Sequence, residues 1–448
     1  MSIHRLTLET VGKIAAGEVI ERPAAAIKEL IENAIDADAA RIDVAIFGGG
    51  VESLEVRDNG RGIAFDDLLM SIERHATSKI TSVDDLRSLT TLGFRGEALA
   101  SLAAVSDVRI QTRAADEQAG GLLRVVFGDV QLPRHAPWGA GTSIVARDLF
   151  ENLPARRTFL RTEQTEASYV ARLVGAYALA YPSSAFSLDI EGRRQFVTDG
   201  SGDPIGAAVS VWGAEVAASL VTLATPAEAP DGFTISGVVS RPDLDRSSRQ
   251  QQFLFAQGRL ITSRLLATAF EQAYHTLLMI DRHPIGCLRV DVPADRVDVN
   301  VHPTKAEVRF ADDRLVFSLV QRATREAIVA GAISAPVPTV LSAPLDDWTI
   351  QRRLALAHPG RSFDQAGMPF GPHDAQTPLS DASALAGGTK LPVLRVLGQI
   401  SSTFVIAEGP DGMYLIDQHA AHERILFERL MPGFETRSVD QQLMLQPV

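Results

Sequence analysis

The chain of 448 residues is poor in cysteine and has no long apolar segment. Its single cysteine, Cys287, excludes an intramolecular disulfide and a cysteine-rich zinc site. No apolar run approaches the length that crosses a bilayer, and residues 1–5 lack the apolar stretch of a secretory signal. A Gly-x-x-x-x-Gly-Lys-Ser/Thr loop is missing too, which argues against a Walker-type NTPase. The low cysteine content favours a protein of a reducing cytoplasm.

The composition is that of a globular protein, with 46% hydrophobic and 22% charged residues. The length permits two or three domains with full-sized cores. A formal net charge of -12 is unusual for a nucleic-acid binder, so any DNA contact must come from a local basic patch. The alternative is that the charge serves only solubility.

The composition changes along the chain and predicts four regions. The first part mixes helical and strand patterns, and a second β-rich unit begins near residue 200. A stretch rich in Ala, Pro, Gly and Ser then predicts a flexible linker. After it, strand patterns surround a Gly-Pro-Asp-Gly turn, and a helix is predicted from His419 to Leu430. The last region is short for a stable domain, so we expect it to be the start of a larger C-terminal domain. The predicted boundaries are 1–200, 201–330, 331–390 and 391–448.

A helix with a polar stripe is predicted from about Pro23, which suits a first helical turn, to Asp36. Apolar residues at helical spacing would face a core: Ile27, Leu30, Ile31 and Ala34. Glu29 and Asn33 lie one turn apart on another face, where Glu29 could activate water as a general base and Asn33 could bind Mg²⁺. Taken alone, the helix favours the alternative of an ordinary solvated face.

A strand pattern through Leu54 and Val56 leads into Asp58-Asn59-Gly60-Arg61-Gly62. The glycines permit positive φ and a close approach of ligand to the backbone. A buried Asp58 could accept a hydrogen bond from an exocyclic amine such as that of adenine. On its own, the segment favours the alternative of a plain turn, and it becomes specific only beside the helix above.

A third segment, Gly93 to Leu99, places glycines before a helix predicted at Ala98–Val105. Free amides and the positive end of a helix dipole would bind phosphate there. Upstream, His75-Ala76-Thr77-Ser78-Lys79 adds hydroxyls and a cation, and residues 74–97 would form a lid over a nucleotide. A purely structural glycine turn is the alternative.

In this order, and followed by Gly141-Thr142, the segments resemble the ATPase superfamily of gyrase, heat-shock chaperones, histidine kinases and MutL (GHKL). Several strings are similar to the MutL family of DNA mismatch repair proteins in particular: Ile14–Val19, Glu21–Pro23, His75–Lys79, Gly93–Leu99, Pro154–Arg157 and Val297–Lys305.

The resemblance implies an α/β fold. A Bergerat (GHKL) α/β sandwich, a mixed sheet covered by helices on one face, would come first. A second α/β domain with a left-handed βαβ crossover would follow, although that handedness runs against the usual rule. A linker and a partial C-terminal α+β dimerisation domain would complete the chain.

The resemblance also implies ATP and Mg²⁺ as cofactors and a role for each matching residue. Glu29 would be the general base and Asn33 the Mg²⁺ ligand. Asp58 would recognise adenine beside Thr142, with Gly60 and Gly62 at the nucleotide. Lys305 would reach the γ-phosphate from the second domain. The phosphates would be held by Thr77, Ser78, Lys79, Gly93, Phe94, Arg95, Gly96, Glu97, Ala98 and Leu99.

Two positions depart from the family pattern. Asp38 stands where Gly is usual after the first helix, and a left-handed cap is less easy for Asp. Gln257 stands where Asn usually precedes Gly258-Arg259, so we expect that loop to differ. Neither position has an assigned catalytic role.

Two groups of arginines are candidates for sequence-independent, salt-sensitive DNA binding: Arg156, Arg157 and Arg161, and Arg246, Arg249, Arg259 and Arg264. A scatter of solvated arginines is the alternative. The resemblance implies further partners. They are a second copy of the chain, with ATP-dependent N-terminal dimerisation, a MutS-type mismatch sensor, a sliding clamp and a helicase.

The segment Asp417-Gln418-His419-Ala420-Ala421-His422-Glu423, with Glu428, is similar to the metal-dependent endonuclease motif of many MutL proteins. Carboxylate and imidazole groups would suit Mn²⁺ or Zn²⁺, with Asp417, His419, Glu423 and Glu428 as ligands. The family completes this site with a Cys- and His-containing motif further along than Val448. A helix capped by Asp417 is the alternative.

Three functions follow as hypotheses. The leading one is an ATP-driven clamp that dimerises around DNA and couples mismatch recognition to strand incision and excision. The second is a metal-dependent nicking endonuclease that ATP regulates. The third is a scaffold without catalysis that only bridges repair partners.

Overall fold

The computed structural model describes the following residues: 19–77, 79, 91–93, 96–275, 277–279, 281–298, 308–334, 395–400, 403–409, 412–419 and 421–422. Contacts within the chain divide it into two units, Met1–Val337 and Pro338–Val448. Within the described residues, no helix combines the length and the hydropathy that crossing a membrane requires.

Among the described residues, the first sheet of the first unit is mixed and has nine strands. They are β1 (Arg41–Phe47), β2 (Ser53–Asp58), β3 (Asp107–Arg113), β4 (Gly120–Val126), β5 (Asp129–Val130), β6 (Arg134–Ala136), β7 (Gly141–Arg147), β8 (Ala185–Ile190) and β9 (Arg193–Val197). The order is β5-β4-β3-β7-β2-β1-β8-β9, and β6 pairs with β4. β1 and β8 are parallel, and the other neighbours are antiparallel.

Helices cover one face of this sheet. In β1 the alternate residues Ile42, Val44 and Ile46 are buried, while those between them are less buried, as expected when one face meets a core. The helices of this region are α1 (Pro23–Asp36), α2 (Ala98–Val105), α3 (Pro154–Arg157) and α4 (Glu163–Ala180). Apolar residues of α1, α2 and α4 share a buried cluster with those strands. The predicted α/β sandwich is therefore confirmed.

The second sheet of this unit is also mixed. The strands of this region are β10 (Leu220–Leu223), β11 (Thr234–Ser240), β12 (Asp245–Arg246), β13 (Gln252–Ala256), β14 (Arg259–Ile261), β15 (His283–Pro284), β16 (Gly286–Asp291), β17 (Val297–Asp298) and β18 (Arg309–Phe310). The sheet order is β10-β11-β16-β13-β14, and β12 with β15 and β17 with β18 form short separate pairs.

The helices of this second region are α5 (Pro204–Trp212), α6 (Ala214–Ala217), α7 (Arg264–Gln272) and α8 (Asp313–Ser334). β13 and β16 are parallel, and the chain between them passes through α7, which makes a crossover connection. The left-handedness of that crossover and the domain boundaries stay predictions. Beyond Ser334, the rest of the predicted linker lies outside the described residues.

One apolar cluster joins the two sheets through α4. Tyr177 of α4 is fully buried, and its ring meets that of Phe255 in β13 edge-on, with centroids 5.4 Å apart. Cys287 of β16 is buried in the same cluster. Burial of each such large apolar side chain contributes about 1.5–3 kcal/mol. This packing places β14 close to the first sheet.

The described part of the second unit is an antiparallel meander of β19 (Arg395–Ile400), β20 (Phe404–Gly409) and β21 (Gly412–Asp417). The strand pattern predicted before the Gly-Pro-Asp-Gly turn thus forms two paired strands, β19 and β20. The chain is helical at residues 418–419 and 421–422, where a helix was predicted to begin.

Candidate active site

Asp36, in the last turn of α1, is the centre of a hydrogen-bonded cluster. Its carboxylate accepts the amides of Leu92 at 2.8 Å and Gly93 at 2.9 Å, and Lys79 Nζ lies 2.6 Å from it. Lys79 Nζ also donates to Asn33 Oδ1 at 2.9 Å. Because the Asp36 side chain is only 6% exposed, water competes little with these charged hydrogen bonds. Both segments that were predicted to bind phosphate therefore meet α1 here.

The sequence predicted Asp36 as the end of the helix, without a role in the site. The signal that could have found it is its spacing from Asn33, which puts both side chains on one helical face. A partner for its carboxylate 43 residues away along the chain has no local signature.

Glu29 lies one turn before Asn33 on α1. Its side chain is 22% exposed, and Lys28 Nζ is 4.0 Å from its carboxylate. A group that activates a water must reach solvent or a hydrated pocket. The partial exposure of Glu29 is compatible with that requirement.

Sequence reasoning missed a buried acid on the same helix. Glu32 is fully buried and accepts a hydrogen bond of 2.6 Å from the Tyr177 hydroxyl. Lys28 Nζ lies 3.3 Å from the Glu32 carboxylate. Burial, together with the neighbouring Glu32, raises the pKa of Tyr177 well above its ordinary value, so the phenol stays a donor. Tyr177 thereby links α4 to the helix that carries Glu29.

Asp58 ends β2 beside Thr142 of β7, its register partner. Burial raises the pKa of Asp58, and hydrogen bonds from the amides of Gly60 and Thr142 oppose the shift. The hydroxyl of Thr142 lies 3.0 Å from that of Thr112 on β3. Thr112 was not predicted, because only the pairing of β3 with β7 brings it here. The three strands together present a carboxylate and two hydroxyls at one point of the sheet.

The turn after Asp58 packs on the end of α1. The Arg61 amide donates to Ala37 O at 3.0 Å, and Arg61 Nη2 donates to Asp36 O at 2.7 Å. Arg61 also pairs with Asp38 at 2.6 Å. Asp38 has φ +57°, so it does adopt the left-handed cap that Gly usually fills. The Asp58 segment and the Asp36 cluster are thus adjacent.

Two glycines of the predicted site are required by the backbone. Gly62 has φ +74°, and a Cβ there would lie 2.1 Å from Arg113 O. Gly96 has φ +61°, and a Cβ there would lie 2.2 Å from Ala76 O. Only glycine fits such positions without displacing a neighbouring segment. The glycine segment and the residues around Thr77 are therefore in backbone contact.

The remaining predicted nucleotide residues divide into two sets. The Thr77 hydroxyl accepts from the amide of Lys79 at 3.2 Å. Glu97 lies 3.2 Å from the His75 ring and directly precedes α2, which begins with Ala98 and Leu99. Outside the described residues lie Ser78, Phe94, Arg95 and Lys305. Their roles stay predictions.

In the second unit, the carboxylate of Asp417 accepts the amide of His419 at 2.8 Å, which is the geometry of a helix cap. The other two predicted ligands, Glu423 and Glu428, lie outside the described residues. Among the residues that the structure describes, no group of three or more His, Cys, Asp or Glu side chains could hold a metal ion. The metal site therefore stays a prediction.

The arginines predicted to contact DNA differ in exposure. Arg259 is only 2% exposed, so its assignment to a DNA-binding surface was wrong, because strand β14 turns its side chain inward. Arg249 is exposed and pairs with Glu271 at 2.7 Å. Arg157 and Arg161 are exposed. They remain candidates for phosphate contact.

Comparisons with known proteins agree with this architecture. A family model of histidine kinase-, DNA gyrase B- and HSP90-like ATPases matches residues 21–129. A model of the C-terminal domain of DNA mismatch repair proteins matches residues 208–329, and one of the MutL C-terminal dimerisation domain matches residues 397–448.

Whole proteins are similar as well. The chain is 39% identical to the DNA mismatch repair protein MutL of Desulforudis audaxviator, over 99% of this chain and 76% of that protein. It is 38% identical to the MutL of Pelotomaculum thermopropionicum, over 98% of this chain and 76% of that protein. A solved N-terminal domain of a DNA repair protein superposes with a TM-score of 0.61, at 24% identity, over 73% of this chain and all of that domain. The last likeness concerns the fold alone.

Proposed function

The chain belongs to the MutL family of DNA mismatch repair proteins, and from that premise we propose that it hydrolyses ATP beside α1 to drive a clamp on DNA. It carries an ATPase domain and a dimerisation domain. The observation that carries the proposal is the cluster in which Asp36 and Asn33 hold Lys79 and the Gly93 segment. That cluster joins the proposed metal ligand Asn33 to Lys79 and Gly93 of the proposed phosphate-binding segments, and Glu29 lies one turn before Asn33 on the same helix.

In this proposal each side chain has one task. Glu29 takes the proton from the attacking water. Asp58 accepts a hydrogen bond from the adenine amino group, and its position beside Thr142 supports that role. Lys79 and the amides that follow Gly93 bind the phosphates, and Lys305 reaches the γ-phosphate from the second domain.

The donors around Asn33 fit a magnesium ion. Asn33 Oδ1 and Asp36 Oδ2 already enclose a cation, the Lys79 ammonium, at 2.9 and 2.6 Å. Neutral and anionic oxygens are the ligands that Mg²⁺ prefers. Mg²⁺ bound with ATP neutralises charge on the phosphates. Asn33 is the residue that would hold it, and Lys79 would then turn to phosphate oxygen.

The clamp acts through its partners. Nucleotide binding would dimerise the N-terminal halves around DNA, and exposed arginines such as Arg157 and Arg161 would contact phosphates without sequence preference. A mismatch sensor of the MutS type, a sliding clamp and a helicase are the further partners. Salt titration of duplex binding tests the DNA contact, because each arginine lost should reduce the salt slope by about 1.

Substitutions on α1 test the ATPase. Glu29→Ala should bind ATP and fail to hydrolyse it, while Asn33→Ala should lose Mg²⁺-ATP binding. Phosphate release and calorimetric titration measure the two steps. Glu215→Ala, an exposed acid on α6, is the control and should match the wild type. Unchanged ATP turnover in Glu29→Ala would refute the proposal. ATP turnover that is lost in Glu29→Ala would instead refute the scaffold hypothesis.

Nicking of DNA is the second candidate, since Asp417 at the end of β21 accepts a hydrogen bond from the amide of His419. The chain should then convert supercoiled plasmid to nicked circles with Mn²⁺, and Asp417→Asn should abolish this. Intact plasmid, from a preparation that hydrolyses ATP normally, would leave the clamp as the function of this chain.

A further inference from the structure

We propose that Arg259, on β14 of the second sheet, is a positioning residue for the ATP site, because it holds the backbone of Thr91–Leu92 in place against α1. The proposal rests on the proposed function and assigns the second sheet a part in shaping the phosphate-binding segment. Arg259 reaches no nucleotide in this scheme. It acts through the peptide groups that it binds.

The guanidinium of Arg259 extends from β14 to the backbone of Thr91 and Leu92. Its Nη2 donates to Thr91 O at 2.8 Å, and its Nε donates to Leu92 O at 3.2 Å. The side chain is 2% exposed. Charged donors at two successive carbonyls fix both the position and the orientation of that peptide.

The same peptide continues directly into the site. The amides of Leu92 and Gly93 donate to the Asp36 carboxylate, which in turn holds Lys79 beside Asn33. The backbone of residues 91–93, which leads into the proposed phosphate-binding segment, is therefore hydrogen-bonded on both sides. Arg259 of the second sheet binds its carbonyls, and Asp36 of α1 binds its amides.

The turn before Arg259 is built to hold the side chain in that direction. Gln257 and Gly258 have φ values of +50° and +73°, as in a tight hairpin turn. The Gln257 side-chain amide binds the backbone of Val292 twice, each time at 2.8 Å. The Tyr181 hydroxyl donates to Gly258 O at 2.6 Å. Gln thus replaces the usual Asn through its own hydrogen bonds, and the strand that carries Arg259 starts from a fixed point.

The charge of Arg259 also faces the acids of α1. Burial lowers the pKa of Arg259, while the carboxylates of Glu32, Asp36 and Glu29 oppose the shift. The guanidinium thus adds to Lys28 and Lys79 in compensating the charge of these carboxylates, and its loss would remove part of that compensation. A shift of β14 relative to α1 would move the guanidinium and the Thr91–Leu92 peptide with it. The second sheet can therefore alter the ATP site without touching ATP.

The test measures ATP binding in a Glu29→Ala background, where hydrolysis does not interfere. Adding Arg259→Gln should raise the Kd for Mg²⁺-ATP at least tenfold. Arg259→Lys should recover part of the loss, since an ammonium keeps the charge but reaches one carbonyl. Arg314→Gln, at an exposed arginine on α8 of the same region, should leave the Kd unchanged. If Arg259→Gln fails to fold, the Lys variant carries the comparison.

Hydrogen exchange without nucleotide separates positioning from general stability. In Arg259→Lys, the amides of Leu92 and Gly93 should exchange at least tenfold faster, while those of β2 stay protected. An unchanged Kd, or exchange that rises equally throughout the domain, would overturn the proposal. If Glu29→Ala alone binds no ATP, the proposed function fails, whereas the exchange result still decides whether Arg259 holds this segment.

Discussion

Gly96→Ala should strongly reduce ATP hydrolysis while the protein remains folded. The backbone there has φ +61°, a region that costs an L-residue about 1–2 kcal/mol. The added Cβ would lie 2.2 Å from Ala76 O, whereas ordinary contacts begin at 3.4 Å, so the two segments must separate by about 1.2 Å. A displacement of about 1 Å in a positioned site costs about 10²-fold in rate. We therefore expect kcat/KM for ATP to fall by about 10²-fold.

Gly192 offers a matched control, because it isolates the backbone strain from the collision. It has φ +71° in the turn between β8 and β9, and a Cβ there would meet nothing within 4 Å. Gly192→Ala should thus lose similar stability in urea and keep its phosphate-release rate. The reasoning is refuted if Gly96→Ala hydrolyses ATP as well as Gly192→Ala at equal folded concentration.

Three further substitutions test interactions of buried or capping side chains, each through the urea midpoint. Tyr177→Phe should lower the free energy of unfolding by about 1.5–3 kcal/mol, since buried Glu32 loses a charged hydrogen bond. The control Tyr169→Phe, at a residue 39% exposed, should lower it by less than about 0.5 kcal/mol. Equal losses in the two variants would contradict this. Asp203→Ala should lower the free energy of unfolding by about 1 kcal/mol, because the Asp203 carboxylate caps α5 by accepting two backbone amides at 2.9 and 3.0 Å. Asp203→Asn should keep most of this stability. A loss as large as that of the Ala variant would count against the cap. For Asp58, burial raises the folded pKa above the unfolded value of 3.8, so its contribution to stability is present below that pH and is lost as pH rises through the raised pKa. The free energy of unfolding relative to Asp58→Asn should fall over that window, and a rise would reverse the sign of our argument.

Local features of the site followed from the sequence because they depend on neighbouring residues. Pro23 and the apolar spacing of α1 set where the helix begins and which face is buried. Alternating residues set which face of β1 meets the core. The glycines at 62 and 96 could be marked as special, since only glycine is at ease at positive φ. The resemblance of whole strings then supplied the order of the domains.

Distant pairings decided the rest. The bond from Arg259 to Thr91 spans 168 residues, that from Tyr177 to Glu32 spans 145, and that from Lys79 to Asp36 spans 43. No spacing rule connects such residues, because helical and strand periods act over a few positions. The grouping of four arginines between residues 246 and 264 wrongly placed Arg259 on a basic surface. The sequence by itself therefore determined the family and the fold class. Only the packing of the second sheet on α4 decided that Arg259 turns inward and binds the backbone of Thr91–Leu92, since burial and direction are properties of the assembled layers.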